Sequence, residues 1–170
     1  MRSAAALLVL MASCAPDAPP PAPPAPEPAP PAPIAFEAPP AWVKEAPSNN
    51  MRIFQYRVPD KQGSARPAEM TVIHSRVRVP FGDNVTRWVA QMGATEPKTE
   101  SLKGKLEVDL ADLAGTYTGD LSGEPLEGAR MLAAAAYTDA GTVYFKFVGP
   151  ADTVGDWRDE FVALLKGASR

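Results

Sequence analysis

The chain has 170 residues, a formal net charge of −3 and 20 prolines, 13 of them between Pro16 and Pro40. The alanine-rich text around those prolines has almost nothing to bury, which leaves 129 residues from Trp42 onward for one compact domain. Without Arg2, Asp17, Glu27 and Glu37 that domain lies within about one charge of neutrality, a balance that argues against nucleic acid as its main partner.

Residues 1–13 read as a signal peptide, with Arg2 as the positive start and Ala4–Met11 as a short apolar stretch. A spanning helix needs roughly 20 apolar residues, so this stretch is too short to be one. Met11-Ala12-Ser13-Cys14 follows and resembles the bacterial lipobox, with methionine where leucine is commoner. Cys14 is the only cysteine, and lipidation accounts for a lone thiol that has no disulfide partner in an exported chain. The resemblance implies a diacylglycerol on Cys14 and usually an amide-linked acyl chain. Several acyl chains, at about 0.8 kcal/mol per buried methylene, make a lasting anchor. Ala15 rather than aspartate after the cysteine favours, by the enterobacterial sorting pattern, the outer membrane facing the periplasm.

Residues 14–41 form the lipidated cysteine and a disordered Pro/Ala-rich tether; residues 42–170 form the folded domain. Proline fixes φ and removes a donor, so the tether is expected in extended polyproline II, reaching up to roughly 80 Å.

Within the domain, Met51–Val58 has strand composition and ends at Pro59-Asp60. Glu69–Val79 alternates, with Ile73, Ser75, Val77 and Val79 on one side and His74, Arg76 and Arg78 on the other. A helix then runs from a cap at Asp83 or Asn84 through Met92, its apolar stripe being Val85, Trp88, Val89 and Met92, with Gly93 to end it. Glu96–Lys103 reads as a polar connection. Lys105–Leu110 alternates, and after Ala111 the apolar phase slips to Leu113, Gly115 and Tyr117, which suggests a bulge or break. The alanine run in Ala129–Tyr137 favours helix by propensity. The turn Thr138–Gly141 and the strand Thr142–Val148 make a hairpin the better reading. Pro150 opens a last helix lined by Val154, Trp157, Phe161, Leu164 and Leu165. The expected fold is α+β, an antiparallel sheet with two packed helices.

Asn84-Val85-Thr86-Arg87-Trp88 with Gln91, Leu113–Tyr117 and Tyr144–Pro150 together resemble a group of uncharacterised bacterial lipoproteins. The element order is similar to the PsbP-like fold, shared by a photosystem accessory protein and a nuclear-transport factor. That likeness implies a protein-binding module by analogy of fold alone.

Catalytic equipment is sparse. His74 is the only histidine, which rules out a His-rich metal site, and no nucleophile elbow or phosphate loop is present. No cofactor or metal is expected, and the chain is not read as an enzyme. Glu107 and Asp109, about 7 Å apart along one strand, read as ordinary cross-strand charges that Lys105, Arg76 and Arg78 can answer. Asp156, Asp159 and Glu160 read as the solvated face of the last helix. Arg87, Gln91 and Lys146 are nominated as an interaction patch. The expected function is a lipid-anchored envelope protein that binds another protein; the alternative is a small-molecule or cell-wall ligand carrier with a pocket near Trp88.

Overall fold

A computed structural model of the chain describes residues 33–63, 66–93, 96–119 and 124–170. Cys14, the expected signal peptide and most of the expected tether lie outside the described residues. The elements are β1 (Val43–Glu45), β2 (Arg52–Val58), β3 (Ala68–Ser75), α1 (Phe81–Met92), β4 (Lys98–Lys103), β5 (Glu107–Tyr117), β6 (Leu126–Thr138), β7 (Gly141–Pro150), α2 (Ala151–Asp156) and α3 (Arg158–Gly167). Among the described residues, seven strands form one sheet in the order β1-β2-β3-β7-β6-β5-β4, and every neighbouring pair is antiparallel. The architecture is α+β.

Both faces of the sheet are covered. Val108, Leu110, Leu132, Ala134, Phe145 and Phe147 point to one face and pack under Val154, Trp157, Phe161 and Leu165 of the α2–α3 stretch. Ala111, Leu113, Met131, Ala133 and Val148 point to the other and pack under Trp88 and Met92 of α1. This two-sided burial explains the phase change in β5. Leu106, Val108 and Leu110 serve the first core, and Ala111, Leu113 and Tyr117 the second, while pairing with β6 stays regular from Val108 to Gly115. The expected slip after Ala111 is thus a change of cover; the one irregularity falls between Gly115 and Tyr117.

The same burial makes the alanine run a strand. Ala133 to Ala136 sit within β6 and are almost wholly buried, Ala133 in the second core and Ala134 and Ala136 in the first. A central strand between two helical layers overrides alanine's helical preference. Thr138 pairs with Gly141 to close the hairpin.

Five expectations are corrected. The folded unit starts before Trp42: Ile34 is 2% exposed, and Phe36 packs edge-on against Phe54 and Phe145 with ring centroids 5.2 and 5.4 Å apart. Two apolar side chains among the prolines were enough to anchor the segment, and Ala35 forms an antiparallel bridge with Ser169. β3 stops at Ser75; Ala68, Met70 and Val72 enter the first core with the opposite parity to that expected, Thr71 is also buried, and Val77 is 68% exposed. Its neighbour β7 begins at Gly141, so the β3–β7 pairing ends at Ser75–Thr142, and Ser75 Oγ turns the chain by accepting from Val77 N–H at 3.2 Å. Glu96–Lys103 contains an edge strand, β4, in which Leu102 is the buried residue. The last helix is two segments meeting at Trp157 (φ −101°, ψ 5°). Helix α1 begins at Phe81 with Pro80 before it, two residues ahead of the expected cap, and ends on Gly93 in the left-handed region (φ 51°).

Candidate functional site

Helix α1 covers the β5–β6 half of its face and leaves the β1–β2–β3 half with polar side chains. A bulge between Arg52 and Phe54 organises that half. Simple alternation would put Arg52 and Gln55 on opposite faces; the extra residue brings them together. Arg52 Nη1 donates to Gln55 Oε1 at 2.9 Å and pairs with Glu69 Oε1 at 3.0 Å. Gln55 Nε2 donates to Glu69 Oε2 at 3.2 Å, and Ser48 N–H donates to Gln55 Oε1 at 2.9 Å. The Arg52 and Glu69 side chains are only 11% and 19% exposed, so this triad is a fixed array rather than a loose surface pair. Alongside it runs a groove of about 480 Å³ whose lining includes Glu45, Arg57, Arg66, Glu69, Leu126 and Pro150. Arg57 Nε and Glu45 Oε1, 3.1 Å apart, form its outer edge. Mutual pairing of these charges suits orientation and recognition of a polar partner rather than proton transfer.

The nominated patch is distributed. Arg87 is exposed on α1, and its Nη2 donates to Asn84 Oδ1 at 2.7 Å. Asn84 is 1% exposed and is more than a helix-start residue, because its Nδ2 reaches Pro80 O at 3.3 Å and Tyr144 Oη at 3.4 Å. Lys146, two residues from Tyr144 on the same face of β7, donates to Tyr117 Oη at 3.0 Å. Gln91 departs from the outer face assigned to it: its Oε1 is buried and has no hydrogen-bond partner among the described residues. Arg87, Gln91 and Lys146 therefore stand on one side of the sheet without bonding one another. Trp88 is core, 4% exposed, with Phe81 and Tyr144 at ring-centroid distances of 5.9 and 6.4 Å.

The acidic residues find structural partners. Asp109 accepts from Ser101 Oγ at 2.6 Å and from Tyr137 Oη at 2.9 Å, so both its oxygens are engaged. Arg78 lies over the Tyr137 ring at 4.1 Å instead of on a carboxylate. His74 places Nε2 3.0 Å from Ala140 O at the hairpin tip. Asp156 accepts from Gln62 Nε2 at 3.2 Å, and Glu160 pairs with Lys61 at 2.5 Å, a hydrogen bond that holds its carboxyl below the usual range. On the α2–α3 side, Asp112 takes a two-pronged bond from Arg130, Nε to Oδ1 at 2.9 Å and Nη2 to Oδ2 at 2.6 Å, which keeps the guanidinium pKa raised.

The Arg52–Gln55–Glu69 triad leaves no local sequence signal, because its residues are brought together by a bulge and a strand pairing. A comparison with protein-family models finds no match for this chain, and a comparison with curated proteins finds none either.

Proposed function

We propose that this chain is a lipid-anchored cell-envelope protein, held through Cys14 at the outer membrane and facing the periplasm. Its α+β domain acts without catalysis, by binding another envelope protein or supporting an envelope assembly. The observation that carries the reading is the Met11–Cys14 lipobox followed by a Pro/Ala stretch that leads into a folded domain. The open half-sheet supports a binding role, since Arg52, Gln55 and Glu69 are held by one another beside a groove. A single antiparallel sheet between helical layers supports the finer PsbP-like assignment, whose relatives bind proteins; this is an argument from fold. The second reading, a small-molecule or cell-wall ligand carrier, is favoured by the same groove, where Pro67, Leu126 and Pro150 give apolar wall beside the charges.

Mild crosslinking of the acylated chain in membranes, followed by its capture, is expected to recover one stoichiometric envelope protein. Arg57→Glu with Arg66→Glu, which changes the groove wall, is expected to reduce that recovery. Undiminished recovery moves the binding surface elsewhere, and failure to recover any protein under repeated mild crosslinking removes the protein-binding reading.

A further inference from the structure

Charge that is balanced along the sequence is unevenly distributed in space. β2 starts and β3 stops at one end of the sheet, where Arg52 pairs with Ile73 and Ser75 with Thr142. The β6–β7 hairpin and the β4–β5 turn close at the same end, through Thr138–Gly141 and Lys103–Glu107. Helix α3 also finishes there, since Lys105 N–H donates to Lys166 O at 3.2 Å. Arg76, Arg78, Lys103, Lys105, Lys166 and Arg170 consequently share one end, and all six are exposed. Among the described residues the acids at that end are Asp83, Glu107, Asp109, which accepts from Ser101 and Tyr137, and Asp139, which is paired with Arg170. The opposite end, where β7 passes into α2, carries exposed Glu124, Glu127, Asp152 and Asp159 with Lys61, Arg57 and Arg66, the last two lining one groove with Glu124.

Two further observations fall on the basic end. Met51 and Val77, 67% and 68% exposed, are the most exposed large apolar side chains among the described residues. Val77 sits between Arg76 and Arg78 in the turn made by Ser75. The chain also enters the domain here: Ala35 exchanges both backbone hydrogen bonds with Ser169, next to Arg170. The segment that carries Cys14 is thus joined to the domain at its basic end.

We propose that this end docks on an anionic bilayer surface, with the Arg and Lys heads at lipid phosphates and Met51 and Val77 at the headgroup boundary. The proposal deepens the lipid-anchor reading and rests on it. Charge complementarity and the place of attachment select the occupant. Clustered cations are attracted to an anionic leaflet within about a Debye length, ~8 Å at physiological salt. Exposed apolar side chains among cations suit the interface, whereas a soluble phosphate ion has no use for them. The anchor makes docking an intramolecular event, so a contact too weak to hold a free protein is sufficient. The tether limits how far the domain travels, and the charge asymmetry decides which end turns to the membrane.

The test uses the full acylated chain in vesicles. With Cys14 acylated, Ala140→Cys at the basic end and Asp152→Cys at the acidic end each supply one free thiol for an environment-sensitive fluorophore. Lipid-borne quencher is included in phosphatidylcholine vesicles with or without about 30 mol % phosphatidylglycerol, a composition giving a negative surface. Quenching at position 140 is expected to exceed that at 152 by at least about twofold in the anionic vesicles, and to fall to parity in about 0.5 M salt. Arg76→Glu, Arg78→Glu and Lys105→Glu together are expected to abolish the difference while acyl mass and vesicle binding persist; Val77→Asp serves if that variant melts early. Equal quenching at both ends, or indifference to phosphatidylglycerol in a chain of acylated mass, overturns the proposal, leaves the anchor reading intact and turns this end toward a protein. A chain without acyl mass that fails to sediment with vesicles overturns the anchor reading and the docking proposal with it.

Discussion

Tyr137 Oη donates a 2.9 Å hydrogen bond to Asp109 Oδ2 on the neighbouring strand, with the Arg78 guanidinium 4.1 Å from the centre of the tyrosine ring. Burial first, and then the bond to Asp109, pushes the phenol up from 10.0 to about 12. The folded state therefore holds this proton more tightly than the unfolded chain does. Its contribution is complete below the unfolded pKa of 10.0 and is lost as pH climbs through about 12. Alkaline unfolding followed by circular dichroism should show that loss, and Tyr137→Phe should flatten this part of the profile. An unchanged slope in the variant would remove Tyr137 as its source.

The contacts of Ile34 and Phe36 divide the proline-rich stretch energetically. Deleting 16–32 with Cys14 retained should leave the melting temperature unchanged, because that text offers no side chains for a core. Extending the deletion to Pro40 removes Ile34 and Phe36 and should lower it sharply. The single change Ile34→Ala should cost about 2–5 kcal/mol, a large part of an ordinary domain's stability. Thermal melts of the three variants decide the matter.

Trp157 joins the two C-terminal helices to the rest of the core. Its Nε1 donates to Pro59 O at 2.7 Å, its ring meets Trp42 at 6.0 Å and 78°, and Lys61 Nζ lies 4.1 Å above it. Trp157→Ala should cost about 3–5 kcal/mol. Trp157→Phe keeps much of the packing, loses the hydrogen bond and leaves the Pro59 carbonyl short of a donor, so it should cost about 1–3 kcal/mol. Denaturant titration separates the two.

Gly141 has φ 127°, and a Cβ there would stand 2.2 Å from Ser75 O. Neither the backbone conformation nor the neighbouring strand can accommodate a side chain. Gly141→Ala should therefore destabilise by more than about 1 kcal/mol and loosen the β3–β7 pairing at its end. Early hydrogen exchange at Ser75 and Thr142 in the variant would be its signature, and wild-type protection there would contradict it.

Helical periodicity was legible wherever a helix lies on a core. Trp88 and Met92 are buried with Val85 and Val89 packed beside them, and Val154, Trp157, Phe161, Leu164 and Leu165 are all buried as their spacing predicts. The sheet was harder to read because its central strands are covered twice. Leu110 followed by Ala111 looks like a fault in a strand buried on one face and is regular in a strand buried on both. β4 left almost no pattern, since Leu102 alone turns inward from an edge open to water. Val77 and Val79 extended the β3 pattern beyond its pairing partner. No local reading could foresee that Lys103, Lys166 and Arg76 meet at one end, because their proximity comes from the order of strands.

The mutual bonding of Ala35 and Ser169 brings the two covalent ends of the folded unit side by side. A short linker could join them, with new ends opened at Gly63 in an exposed loop at the acidic end. Such a circular permutant would keep every strand pairing while moving the attachment point across the length of the sheet. Where the domain is held and what each of its ends presents are separate properties of this fold, and permutation would exchange the first without touching the second.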